Sequence, residues 1–260
     1  MAQPARVRAE YRTTVLRADR ITPAMVRLVL GGRGLDAFVD LPCTDHYVKV
    51  VIPGDDEHPP VLRTYTVRAW DPEVRELTID FVVHGDAGRA GPWSARVRPG
   101  AEVLLQGQGG GFVVEPERPW VLLAGDESAL PAILATLERL PAGVPATAFI
   151  EVADAAEEQP VVAPGADVRW VHRGSSPYGA CLVRDVRAFA LPDGAGQVFL
   201  HGEAGMVREL RRHVRRAGVA LADLSASGYW RLGKDDEAWR EEKAEWKAAV
   251  SRDEESLQGT

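Results

Sequence analysis

Short apolar runs separated by clusters of Pro, Gly and Asp fill the first 115 or so residues: Tyr47–Ile52, Leu62–Trp70, Leu77–Val83 and Glu102–Leu105. Runs of that length and spacing predict an antiparallel barrel or sandwich. One short helix is predicted among them, from about Pro92 to Val97, with Gly88-Arg89-Ala90-Gly91 in front and Pro99-Gly100 behind. After Pro116 and Pro119 the rhythm changes. Trp120–Ala124 is continuously apolar, the pattern of a strand covered on both faces. A helical segment follows near Ala129–Leu140, then strands at Ala146–Val152 and Asp167–His172. A helix around Gly179–Phe189, a strand at Gln197–His201 and an amphipathic helix near Met206–Ala217 complete the series. Strands alternating with helices predict a parallel sheet.

The tail changes again. Asp235–Val250 has an acidic first turn and neither Gly nor Pro, which predicts a capped helix. Trp239 and Trp246 fall on one face with Lys243 between them, and residues 251–260 are expected to fray. The division that results is a β domain over residues 1–116, an α/β domain over 117–230 and a helical tail over 231–260.

Composition narrows the function classes. A chain of 260 residues can bury a substantial core, and no apolar run approaches the roughly 20 residues that span a bilayer. Cys43 and Cys181 lie far apart and form no metal or redox spacing, and no signal-peptide pattern follows Met1, so a cytoplasmic location without membrane insertion is expected. A net charge of −7 argues against nucleic acid as a partner. No metal site is expected, and the absence of a coiled-coil pattern suggests a monomer.

Candidate chemistry begins at Arg63-Thr64-Tyr65-Thr66-Val67-Arg68. Alternation on a strand puts Arg63, Tyr65 and Val67 on one face and Thr64, Thr66 and Arg68 on the other. The segment offers an aromatic platform, hydroxyls and a guanidinium for phosphate, as a flavin nucleotide requires; an edge strand with solvated arginines fits the hexapeptide equally well. Arg68 reads as a surface charge. Gly88–Ser94, ahead of the short helix, can cradle a pyrophosphate with its backbone N–H groups and Ser94. His84 is a candidate acid or base, or a structural histidine. In the α/β region the strand-to-helix turn Gly125-Asp126-Glu127-Ser128-Ala129-Leu130-Pro131 lies where a dinucleotide binds, although G-x-G-x-x-G is absent. Arg173, with Ser175 and Ser176, can hold a 2′-phosphate and so favour NADPH; Glu151 can instead take a ribose hydroxyl and favour NADH. His201-Gly202-Glu203 closes the next strand and lines the same cleft or forms a simple turn.

Together these residues carry a family resemblance. Thr44-Asp45-His46-Tyr47-Val48-Lys49, the Arg63–Arg68 hexapeptide, His84-Gly85 with Gly91-Pro92-Trp93-Ser94, the Gly125–Pro131 turn, His201-Gly202-Glu203 and Gly228-Tyr229-Trp230-Arg231 occur in that order over nearly the whole chain. In this the chain resembles the siderophore-interacting proteins, flavin-dependent ferric-siderophore reductases of the ferredoxin-reductase-like superfamily. The Gly85–Trp93 loop departs from that family's longer pattern.

The resemblance implies a six-stranded antiparallel β-barrel that holds FAD, followed by a Rossmann-like parallel α/β domain for NAD(P)H and a C-terminal helix. It implies hydride transfer from NADPH or NADH to the flavin and one-electron delivery to Fe(III) in a bound siderophore, which releases Fe(II). Carried over by motif, Arg63, Tyr65, Thr66 and Val67 contact the flavin, with Thr66 near its reactive edge and Tyr65 the second catalytic candidate. His84, Gly91, Trp93 and Ser94 hold its phosphates. Gly125, Asp126 and Glu127 border the nicotinamide, and Arg173 and Glu203, read from their places at the strand ends, join them as candidates for the nicotinamide nucleotide. Lys49, Lys243 and Lys247 are candidates to attract an anionic ferric siderophore. A general flavin or cytochrome reductase and a non-catalytic siderophore-binding protein are the competing readings.

Overall fold

The computed structural model describes residues 9–83 and 88–258. The predicted role of His84 lies outside the described residues. The chain divides into two compact units, Met1–Gly111 and Phe112–Thr260.

The first unit is a single antiparallel sheet. Its strands are β1 (Glu10–Thr22), β2 (Met25–Gly31), β3 (Tyr47–Ile52), β4 (Val61–Thr66), β5 (Ala69–Asp71), β6 (Glu76–Val82) and β7 (Glu102–Gly109), in the order β4-β3-β7-β1-β2-β6-β5. A short helix, α1 (Ala90–Arg96), lies between β6 and β7. Alternate residues point inward, so Val48, Val50 and Ile52 of β3 meet Leu28, Leu30, Leu77, Ile79, Phe81 and Leu105 in one core. The resemblance implied six strands; among the described residues the sheet has seven. The two ends of the strand order, β4 and β5, are joined by only Val67 and Arg68. The N–H of Val67 donates to the His46 carbonyl (2.7 Å) and that of Arg68 to the Thr78 carbonyl (2.9 Å). The chain thus changes hydrogen-bonding partner at this bend, and one continuous segment supplies both end strands of the sheet. The bend also overturns the reading of Arg68 as a surface charge: Thr66, Val67 and Arg68 are all buried in succession, unlike a strand with one face in solvent.

The second unit has five parallel strands, β8 (Val121–Gly125), β9 (Ala146–Val152), β10 (Ala166–His172), β11 (Gln197–Glu203) and β12 (Leu224–Trp230), in the order β10-β9-β8-β11-β12. Helix α2 (Leu130–Glu138) packs on β8 and β9. Helices α3 (Ala180–Ala188) and α4 (Ala204–Arg216) share a core with Leu122, Ala124, Val198 and Leu200 on one face of the sheet. The strand order reverses between β8 and β11, and the crevice at such a point, outside the carboxyl ends of the strands, is where open α/β sheets bind ligands.

Helix α5 (Asp236–Gln258) belongs to this second unit and not to a separate tail. The indole N–H of Trp246 donates to the Ala204 carbonyl (2.9 Å), while Arg208 pairs with Asp253 (2.6 Å). Glu254 takes both Arg211 and Arg215 (2.8 Å each). These ion pairs explain why the helix runs past residue 250, where fraying was expected.

Candidate functional site

In the first unit the predicted flavin residues lie on and beside β4. Tyr65 is half-buried with its ring 4.2 Å from Phe81, and Phe81 in turn meets Trp93 at 5.6 Å. The half-buried Arg63 guanidinium donates to the Leu62 carbonyl (3.1 Å). Thr66 is buried opposite Tyr47 of β3. Val67 is a core residue, so its side chain is packing and not a contact surface. Gly91 and Ser94 are buried in α1, where the Ser94 hydroxyl donates to the Gly91 carbonyl (2.9 Å). The ammonium of Lys49 donates to the Thr64 hydroxyl (3.4 Å) across the β3–β4 pair. Within the Thr44-Asp45-His46 motif, the Asp45 carboxylate accepts from the N–H of Gly111 (2.7 Å) and ties the entry of β3 to the exit of β7. A cation, a phenol and a hydroxyl on one strand suit the phosphate, ring and polar edge of a flavin nucleotide, so the donor set fits FAD.

In the second unit three separate motifs lock together at the carboxyl ends of β8, β11 and β12. Asp126 is the knot. One carboxylate oxygen accepts from the N–H of Glu203 (2.8 Å) and the indole N–H of Trp230 (2.9 Å); the other accepts from the N–H (2.9 Å) and hydroxyl (2.5 Å) of Ser128. The local sequence makes room for it. A Cβ at Gly202, whose φ is +131°, would stand 2.7 Å from that carboxylate, and one at Gly125 would meet Ala129 and the His201 carbonyl at 2.6 Å. Glu203 caps α4 by accepting from Met206 N–H (2.8 Å), and its other oxygen holds Arg231 and the N–H of Leu232 (3.2 Å each).

Beside this knot lies a second buried cluster. Arg173 pairs with Glu127 at 2.8 Å and Glu151 at 3.4 Å, and its guanidinium lies 3.8 Å from the Tyr178 ring centre. Tyr178 meets Trp230 edge-on at 5.2 Å. Burial pushes the Glu127 carboxyl above its ordinary range even though Arg173 pulls the other way. Glu151 is fully buried and accepts from the N–H groups of Gly179 (2.8 Å) and Leu182 (3.1 Å), which fixes the start of α3. Both sequence-based assignments therefore change. Arg173 is 8% exposed and held by two carboxylates, so it is no free cation for a 2′-phosphate, and Glu151 is enclosed and not a ribose ligand. Sequence reasoning had no means to see that residues 127, 151 and 173 converge. It also passed over Tyr178, whose signal was the Pro-Tyr-Gly step after the third strand.

His201 is structural. It stacks on Phe199 (3.7 Å between ring centres), and its nitrogens meet the Tyr229 (2.8 Å) and Ser225 (2.9 Å) hydroxyls. Burial, with Lys243 adding a like charge, pushes its pKa down to about 3. A lowered folded-state value means that the unfolded chain binds the extra proton. The stability due to neutral His201 is whole above about pH 6.5 and is lost as pH falls toward about 3. Urea titrations in steps from pH 6 to 4 should show His201→Asn losing stability less steeply than the natural chain, by about 1 kcal/mol per pH unit. Equal slopes would refute the assignment.

Of the tail lysines, Lys243 places its ammonium 5.8 Å from the Trp239 ring centre and Lys247 is exposed. Trp239 and Trp246 do share a face, 6.0 Å apart. Among the described residues no group of three His, Cys, Asp or Glu side chains could hold a metal ion, and no helix is long and apolar enough to cross a membrane.

Comparisons with known proteins agree with this architecture. The family model described as "Siderophore-interacting protein" matches residues 118–233, and that of the "Siderophore-interacting FAD-binding domain" matches residues 14–62 and 54–112. Ferric vibriobactin reductase ViuB of Vibrio cholerae is 35% identical over 199 residues, spanning 75% of this chain and 72% of its own. The NADPH-dependent ferric-chelate reductase of Escherichia coli is 30% identical over 251 residues, 87% and 96% of the respective chains. The crystal structure of the siderophore-interacting protein SipS from Aeromonas hydrophila superposes with a TM-score of 0.80 at 31% identity, covering 92% of this chain and 98% of that one. With a β unit built for FAD, a parallel unit built for a dinucleotide and both halves matched, the chain belongs to the siderophore-interacting protein family.

Proposed function

We propose that this protein takes a hydride from NAD(P)H through FAD and delivers electrons to Fe(III) in a ferric siderophore, releasing Fe(II). The observation that carries the reading is the Asp126 knot, which fixes the ends of β8, β11 and β12 at the strand-order reversal. A protein that merely bound siderophore would have no need of a built dinucleotide crevice.

Bound FAD supplies the conversion from two-electron to one-electron chemistry, which no side chain here can perform. Arg63 offers its guanidinium to the flavin's phosphate, Tyr65 an aromatic surface and Thr66 a hydroxyl at the reactive edge. The α1 segment with Gly91, Trp93 and Ser94 completes the phosphate end. In the second unit, Gly125, Asp126, Glu127 and Glu203 shape the crevice for the nicotinamide nucleotide. Asp126 and Glu203 act as positioning residues, because their oxygens are already engaged. Lys49, Lys243 and Lys247 would attract an anionic ferric chelate to an otherwise acidic protein. A monomer acting in the cytoplasm is part of the same proposal.

Anaerobic spectroscopy of the FAD-loaded protein tests it. NADPH or NADH should bleach the visible absorption of the oxidised flavin, and a ferric siderophore should then restore it. If neither nucleotide bleaches the flavin, the reductase reading falls; if several ferric siderophores leave it bleached, the siderophore assignment falls.

A further inference from the structure

An open groove of about 780 Å³ runs between α3 and α4, lined by Tyr178, Gly179, Arg184, Arg187, Glu203 and Arg231 among others. Arg184 and Arg187 are three residues apart and so share one face of α3. They are also the most accessible cations of the groove, at 69% and 48% side-chain exposure. Each has a carboxylate neighbour, Asp185 at 2.6 Å and Glu209 at 2.8 Å, but exposed pairs of this kind are weak and yield readily to a stronger anion. Arg231 stands across the groove over Gly205, where a Cβ would come within 2.5 Å of its guanidinium.

Charge separates the groove from its neighbour. Three arginines (184, 187 and 231) meet three carboxylates (185, 203 and 209) at the groove, a formal balance of zero. Around Arg173 the count is one cation against Asp126, Glu127 and Glu151, a balance of −2, in a setting too dry to screen it. A phosphate monoester carries roughly −1.5 to −2 charge at neutral pH, so it is repelled by the second setting, whereas the groove is neutral overall and meets it with two exposed arginines. Tyr178 lines the groove and gives an adenine ring an aromatic neighbour there.

Building on the function proposed above, we infer that the 2′-phosphate distinguishing NADPH from NADH is read by Arg184 and Arg187 on α3, and not by Arg173. Arginine suits this task because its planar fork can grip two phosphate oxygens at once.

Calorimetric titration of the full-length, FAD-loaded protein with 2′-phospho-AMP and with 5′-AMP tests the inference without turnover. The natural chain should bind the 2′-phosphorylated ligand at least tenfold more tightly. Arg184→Gln/Arg187→Gln should abolish that preference and leave the 5′-AMP affinity within about twofold, a result no general loss of folding would give. Arg184→Lys/Arg187→Lys should retain part of it. The inference is overturned if the natural chain shows no preference, or if the glutamine variant keeps it. A parallel measurement separates this outcome from failure of the wider reading. Flavin bleached by both nucleotides, with discrimination untouched in the variant, sinks only the inference; flavin bleached by neither sinks the proposed function itself.

Discussion

Asp126→Ala should be among the most destabilising single substitutions in the second unit, with a loss of about 3–6 kcal/mol. The carboxylate is buried and accepts from three N–H donors, those of Glu203, Ser128 and the Trp230 indole. A buried donor left without a partner costs about 1–3 kcal/mol, and here three are orphaned together. Ser128 and Trp230 are only half-buried and can recover some hydration, which holds the total below the simple upper sum. Set against a typical domain stability of about 5–15 kcal/mol, the loss brings the variant near its folding threshold. Asp126→Asn should fall between. It keeps the volume and one acceptor for Ser128, but its amide turns a donor toward the Glu203 and Trp230 donors. Urea denaturation followed by tryptophan fluorescence gives the comparison, with midpoints ordered natural chain, Asn, Ala. An alanine variant within about 1 kcal/mol of the natural chain would show that the knot is incidental.

The second large effect is expected at Arg173. Removing one partner of a buried ion pair typically costs about 3–5 kcal/mol, because the remaining charge is stranded. Arg173→Met strands two, since the side chains of Glu127 and Glu151 are 6% and 0% exposed. Arg173→Lys keeps the charge but cannot bridge both carboxylates in one plane, so an intermediate loss follows. The informative pairing is Arg173→Met with Glu127→Gln. Removing one of the two stranded charges should return a large part of the stability, and the four-way cycle of single and double variants isolates the coupling. Acid should act in the same direction on Arg173→Met. Burial already raises the Glu127 pKa, so falling pH protonates the stranded carboxyl and relieves the penalty. A double variant no more stable than Arg173→Met would mean that the cost arises from lost packing on Tyr178 instead.

The two-module order was legible in the sequence because the periodicity itself changes. Strands β3 and β9 have the bounds their apolar runs predict, since β3 alternates cleanly between buried and more exposed positions and β9 is mostly apolar and buried along almost its whole length. Strand β12 was not marked as a strand: Leu224-Ser225-Ala226-Ser227-Gly228 is built of small residues on a half-buried sheet edge, so its pattern carries little contrast. The break between β4 and β5 was hidden because a change of hydrogen-bonding partner leaves hydrophobicity untouched. At the candidate site, local turns were readable and convergence was not. Gly125 announced a tight turn, yet nothing local to Asp126 predicts a bond from Trp230, more than a hundred residues downstream. Arg173 was misjudged for the same reason: a cation at a strand mouth resembles a ligand until the carboxylates around it are known.

The fit between Gly202 and Asp126 carries an evolutionary consequence. The glycine is there because the carboxylate occupies the volume a Cβ would fill, and the carboxylate can reach Glu203 because the glycine leaves that volume open. Neither position can drift alone without a clash or a lost anchor. The two should therefore pass through lineages as a single inherited character, and an ancestor that lacked one would have had little use for the other.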